Sequence, residues 1–141
     1  MTDTPRAPYL GRYLVVLILV MIGFAVLGWG LLRFAGIAIP GGAVAIVPPM
    51  VAALHVGQTW GRERGEIPDN RTAWRWSLIA GLVFLALQLV TLPLVLATLT
   101  LSPDVIQLFV ILIGGTTIMS VLVHRFFLTI GAKGAIAGPR A

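Results

Sequence analysis

Four long stretches without a charged side chain organise the sequence: Leu14 to Leu32, Ile37 to Trp60, Ser77 to Leu101 and Val105 to Val123. The shortest hold 19 residues, and a helix of that length rises about 28 Å, close to the roughly 30 Å hydrocarbon core of a bilayer. Inside lipid the backbone must satisfy its own hydrogen bonds, which leaves helices or a closed barrel. The alternating ten-residue segments of a barrel are missing. The pattern predicts an all-α integral membrane protein, a small bundle of four transmembrane helices spanning about 14–32, 37–60, 77–101 and 105–124. Residues 1–13 form an N-terminal segment, 14–130 a single transmembrane domain with a polar loop at 61–75, and 131–141 a flexible Gly/Ala-rich tail. A secretory signal is the competing reading of the first stretch. Its apolar run exceeds the usual signal core of about 7 to 15 residues, and the next segment is itself apolar rather than a soluble mature domain.

Local signals mark several helix ends. Ser102-Pro103-Asp104 supplies a capping hydroxyl, a first-turn proline and a first-turn carboxylate, so the fourth helix starts there. Gly65 suits the left-handed cap of the second helix, Pro68 stops further helix, and Asp69 or Asn70 caps the third. Trp60, Trp74 and Trp76, with Tyr9 and Tyr13, are expected among headgroups at one membrane boundary. Pro48-Pro49 lies about halfway along the second helix, which is expected to be kinked or broken there. A further option makes 36–47 a surface segment, with the helix beginning near Pro48.

Charge then sets orientation. Of ten Lys and Arg residues, nine fall at the two ends and in the middle loop (Arg6, Arg12, Arg62, Arg64, Arg71, Arg75, Arg125, Lys133, Arg140), and only Arg33 is on the other side. Positive residues are retained inside, so both termini and the middle loop are expected in the cytoplasm. The net charge of +5 reflects that topology and implies no nucleic-acid partner, because Glu63, Glu66 and Asp69 interrupt the basic loop. The expected surroundings are the lipid bilayer of a bacterial inner membrane, with a membrane-protein partner or a second copy as possible company.

Composition removes chemistry more than it adds any. Charged residues make up 11% and cysteine is absent, so thiolate nucleophiles and Cys-ligated metals are excluded. No Asp, Glu, Lys or Arg occupies the centre of a span, where proton-coupled transport generally needs one. No nucleophile elbow or phosphate-cradling glycine loop occurs, and the expectation is a protein that is not an enzyme and carries no cofactor. The candidate residues are therefore of other kinds. Ala53, Gly57 and Gly61 offer a surface for close helix approach, within the chain or between copies. Gln88 and Thr91 on helix three, with Thr117 and Ser120 on helix four, form a polar set that suits either interhelical hydrogen bonds or a ligand pocket. His55 and His124 are expected at similar depth and are weak candidates for haem or metal ligation. Arg62, Glu63, Arg64 and Glu66 are candidates for a cytoplasmic contact.

The segment Gly57 to Trp74, Gly-Gln-Thr-Trp-Gly-Arg-Glu-Arg-Gly-Glu-Ile-Pro-Asp-Asn-Arg-Thr-Ala-Trp, resembles the loop of a family of small uncharacterised bacterial four-helix inner-membrane proteins. There a small-residue helix two ends in a charged, Gly-containing loop with a proline, and an aromatic residue opens helix three. The likeness covers roughly Leu14 to Arg125. It implies topology and location and supplies no functional residue. The leading expectation is an accessory or interaction subunit. A small transporter or channel-like protein is the alternative, and a haem- or quinone-linked redox subunit comes after it.

Overall fold

The computed structural model describes residues 8–97 and 102–138. Four helices follow one another: α1 (Leu10–Ala35), α2 (Gly41–Arg64), α3 (Asn70–Leu96) and α4 (Pro103–Ala137). All four are long and apolar enough to cross a membrane. Arg6, Arg140, Leu101 and the last residues of the expected tail lie outside the described residues.

Successive helices run antiparallel. Tyr9 before α1 meets Glu63 at the end of α2, and Gly61 meets Ala132 near the end of α4. One end of the bundle, the loop end, thus gathers the start of α1, the 65–69 connection and the last turns of α4. The connection 36–40, the end of α3 and the start of α4 lie at the far end.

The helix ends follow local chemistry. Ser102 accepts the Val105 amide at 3.3 Å, with Pro103 at the first helical position and Asp104 in the first turn. Gly65 closes α2 in the left-handed region at φ 66°. Asp69 accepts the amides of Arg71 and Thr72 at 3.1 and 3.2 Å. A hydrogen bond from the Thr72 side chain foremost, and then these backbone bonds, hold its carboxyl below the ordinary value of 3.8. Because both caps are tight, the polar connection is only 65–69. Residues 61–64 complete α2 and 70–75 open α3, inside what the sequence suggested was a loop.

Two further expectations change. α2 is helical from Gly41 to Arg64 with Pro48 and Pro49 inside it, so it is not interrupted at the proline pair and does not begin there. The expected tail 131–141 is helix as far as Ala137, with Gly131 and Ala132 buried. The small side chains that looked like a floppy end let α4 lie directly on α2.

α2 and α4 form the central pair, α3 packs on α4, and α1 leans on α2 with a lesser contact to α3. The core is confined to the loop-end half. Buried positions run as far as Leu17 on α1, Pro48 on α2, Phe84 on α3 and Ser120 on α4, and no described side chain beyond that level is buried. In lipid the tails are as apolar as leucine, so helix association depends on van der Waals fit and interhelical hydrogen bonds. The loop-end half has both.

Candidate functional site

The seam between α2 and α4 is made by glycine. A Cβ on Gly57 would overlap the carbonyl of Leu128 and sit 3.1 Å from the amide of Ala132. One on Gly61 would meet the Ala132 carbonyl at 2.5 Å, and one on Gly131 would strike the Leu54 carbonyl. Ala53, fully buried, continues the α2 side of the seam. The small-residue face of α2 therefore meets a neighbouring helix of the same chain, and Gly81 plays the same part on α3, where a Cβ would run into Val121. Gly131 and Gly81 complete the close approaches. Their partners lie far away in sequence, and spacing within their own helices does not reveal them.

Beside this seam lies a buried aromatic and polar cluster. The Tyr13 hydroxyl is 2.7 Å from His124 Nε2, and both residues are fully buried. Trp76 stands edge-on to both rings, with centroids 5.4 Å from Tyr13 and 6.2 Å from His124. Its indole donates to the Pro8 carbonyl at 3.0 Å, tying the chain before α1 to α3. Tyr13 and Trp76 are thus interior groups, and Trp60 is only 2% exposed, in place of the headgroup belt the sequence suggested. Trp74 alone among these tryptophans is exposed.

Whichever tautomer His124 adopts, Nε2 is engaged by Tyr13 and Nδ1 has no hydrogen-bond partner within the chain. Ser77 Oγ, also buried, has none either. Ser77 and His124 fall at the same level, because Gln88 pairs with Thr117 and Gly81 faces Ser120 and Val121 along the antiparallel pair. His55, in contrast, is on the exposed side of α2. The structure does not bring the two histidines together, and His124 faces Tyr13 and Trp76. Among the described residues no group of three or more His, Asp or Glu side chains could hold a metal ion.

At the outer rim of the cluster the Tyr9 hydroxyl donates to Glu63 at 2.6 Å, and Arg12 reaches Glu63 at 3.4 Å and Thr59 at 3.3 Å. Tyr9 takes a left-handed backbone, φ 65°, which is strained for an aromatic residue. Its bond to Glu63 and its edge contact with Trp60, centroids 5.9 Å apart, hold it there. Arg64 lies over the Trp60 ring at 4.4 Å. Of the four candidate contact residues, Glu63 and Arg64 are thus engaged by their own bundle, whereas Arg62 and Glu66 remain exposed.

The polar set of helices three and four divides as well. Gln88 donates to Thr117 at 3.4 Å and accepts from Thr116 at 3.0 Å, so its amide bridges α3 and α4. Thr91 turns back on its own helix, donating to the Leu87 and Gln88 carbonyls. Ser120 likewise donates to the Thr117 carbonyl at 2.7 Å. Thr116, which sequence reasoning passed over, is the better partner of Gln88. It sits beside Thr117 in the same helix turn, and only the observed rotation of α4 selects it.

An apolar groove of about 370 Å³ lies between α2 and α4 at the far-half level, with Ala45, Ile46, Gly115 and Met119 on its walls and Thr116 and Ser120 at its edge. Comparison of the chain with family models, with curated proteins and with solved structures gives no match.

Proposed function

We propose that the chain is a non-enzymatic, multi-pass protein of a bacterial inner membrane, with the loop end in the cytoplasm, acting as an accessory or interaction subunit of a membrane assembly. One observation carries the reading. The interior polar groups in the loop-end half serve helix packing, while α1 beyond Leu17 presents Ile22, Val26, Trp29 and Phe34 without a covering helix. A bundle that fixes one half firmly and leaves whole helix faces open in the other is built to receive apolar neighbours. The orientation is supported by Arg12, Arg62, Arg64, Arg71, Arg75, Arg125 and Lys133, which all fall at the loop end, against Arg33 at the far end.

The chain has no cysteine, so single cysteines report topology cleanly. On intact cells an impermeant thiol reagent is expected to label Ala35→Cys and to spare Glu66→Cys, both at exposed positions, and the reverse pattern contradicts the orientation. Purification from native membranes in mild detergent is expected to retain a stoichiometric membrane-protein partner or a second copy. A lone monomer under those conditions contradicts the accessory role.

The groove between α2 and α4 favours a second reading, a small transporter or channel-like protein. Pro48 and Pro49 have no N–H to offer the carbonyls of Val44 and Ala45 four residues back, so α2 is kinked in this reading and a freed carbonyl borders the groove. Substrate-dependent flux in proteoliposomes would support this reading. Intact vesicles without flux, together with a retained partner, leave the first.

A further inference from the structure

A second cavity, of about 380 Å³, opens at the loop end between the start of α3 and the last turns of α4. Its charged lining residues are Arg125 and Lys133, and no carboxylate lines it. The two are eight residues apart on α4, which sets them about 80° apart around the axis and about 12 Å along it. Arg125 is incompletely matched. One guanidinium nitrogen donates to the neutral Asn70 carboxamide at 2.5 Å and the group lies 4.8 Å from the Trp74 ring centre, yet its buried Nε has no hydrogen-bond partner in the chain. A cation held by a neutral amide and an aromatic face, with a donor left over, lacks an anion.

The remaining walls say which anion. Phe126 and Ile130, on the same side of α4, are 60% and 40% exposed, and Ile67 from the connection is 43% exposed. The cavity is thus basic at one edge and apolar along the other, at the end of the spans where Trp74 sits exposed beside it. Guanidinium and ammonium groups at membrane interfaces select phosphate headgroups, and apolar side chains below them receive acyl chains. We propose that this cavity binds the phosphate headgroup of an anionic glycerophospholipid between Arg125 and Lys133, beside Ile130, with its chains running past Phe126 toward the exposed Leu122. The site requires only that the four helices span a bilayer, and it stands apart from any protein partner.

The test is native mass spectrometry of the purified chain in mild detergent, titrated with dioleoylphosphatidylglycerol or dioleoylphosphatidylcholine, and separately with inorganic phosphate. The expected result is one phosphatidylglycerol adduct that survives activation, favoured at least about tenfold over phosphatidylcholine, with millimolar phosphate unable to displace it. Lys133→Gln, which alters an exposed side chain and leaves the bundle intact, should weaken the adduct several-fold, and Arg125→Gln with Lys133→Gln should abolish it. Arg62→Gln with Arg71→Gln removes the same charge elsewhere and should leave it unchanged. Equal retention of the two lipids, or equal loss in the control pair, overturns the site as a specific one. Displacement by phosphate alone overturns the lipid assignment.

Discussion

The two halves of this bundle follow different rules. Toward the loop end, Tyr13, Trp76, His124 and Leu128 are fully or almost fully buried, and glycines bring the backbones of α2 and α4 into contact. Toward the far end, Phe34, Leu94, Val90 and Val110 are 83%, 76%, 71% and 66% exposed. Composition does not explain the contrast, since both halves are apolar. Apolar side chains alone give no net attraction between helices in lipid. What differs is that glycines of the loop-end half meet a neighbouring helix, whereas Gly23, Gly30, Gly114 and Gly115 of the far half face open space, and that buried polar groups of the loop-end half find one another across helices. The difference teaches where the chain has fixed its own structure and where it has left surface for something else.

The largest effect should come from closing the seam. Gly57→Leu forces a side chain onto the Leu128 carbonyl and should destabilise the protein by about 3 kcal/mol, whereas Gly114→Leu, facing open space, should change little. Thermal unfolding in detergent measures both, and equal effects would erase the distinction between the halves. Next in size, Tyr13→Phe leaves His124 without its hydroxyl partner inside the core and should cost about 1 to 2 kcal/mol. Gln88→Leu, nearer the boundary between the halves, removes the bridge to Thr116 and Thr117 and should cost about 0.6 kcal/mol in the same assay. A Gln88 effect larger than that of Tyr13 would move the organising contacts toward the far half.

The smallest effect concerns the Asp69 cap at the surface. Its carboxyl is held below the ordinary value of 3.8 in the folded protein, so its contribution is fully present above that value. It is lost as the pH falls through the lower folded value. Amide exchange at Arg71 and Thr72 should therefore quicken, relative to the rest of α3, only at the acid end of the range, and Asp69→Ala should remove that dependence.

What the sequence revealed about this arrangement depended on range. The caps at Ser102, Gly65 and Asp69 were legible because each is decided by atoms two to four residues apart. The four spans were legible because a charge inside hydrocarbon is costly wherever it falls. The Tyr13–His124 pair was not, since its members are 111 residues apart and aromatic groups near a boundary suit a headgroup belt equally well. Gly131 and Ala132 looked like part of a loose tail, and only the facing Gly57 and Gly61 give them a reason to be helix. Half of the candidate site was therefore visible. Gly57, Gly61 and Gln88 carry interhelical contacts, whereas Thr91 and Ser120 bond only to their own helices.

The open half of α1 is the most direct test of an interaction role. A photoreactive residue is placed at Val26, which is 64% exposed, and as a control at Leu17, which is fully buried, and the cells are irradiated at native expression level. One discrete protein adduct is expected from Val26, with another membrane protein or a second copy, and only intramolecular products from Leu17. Lipid adducts alone from Val26, reproduced at Ile22 and Trp29, would contradict the interaction role.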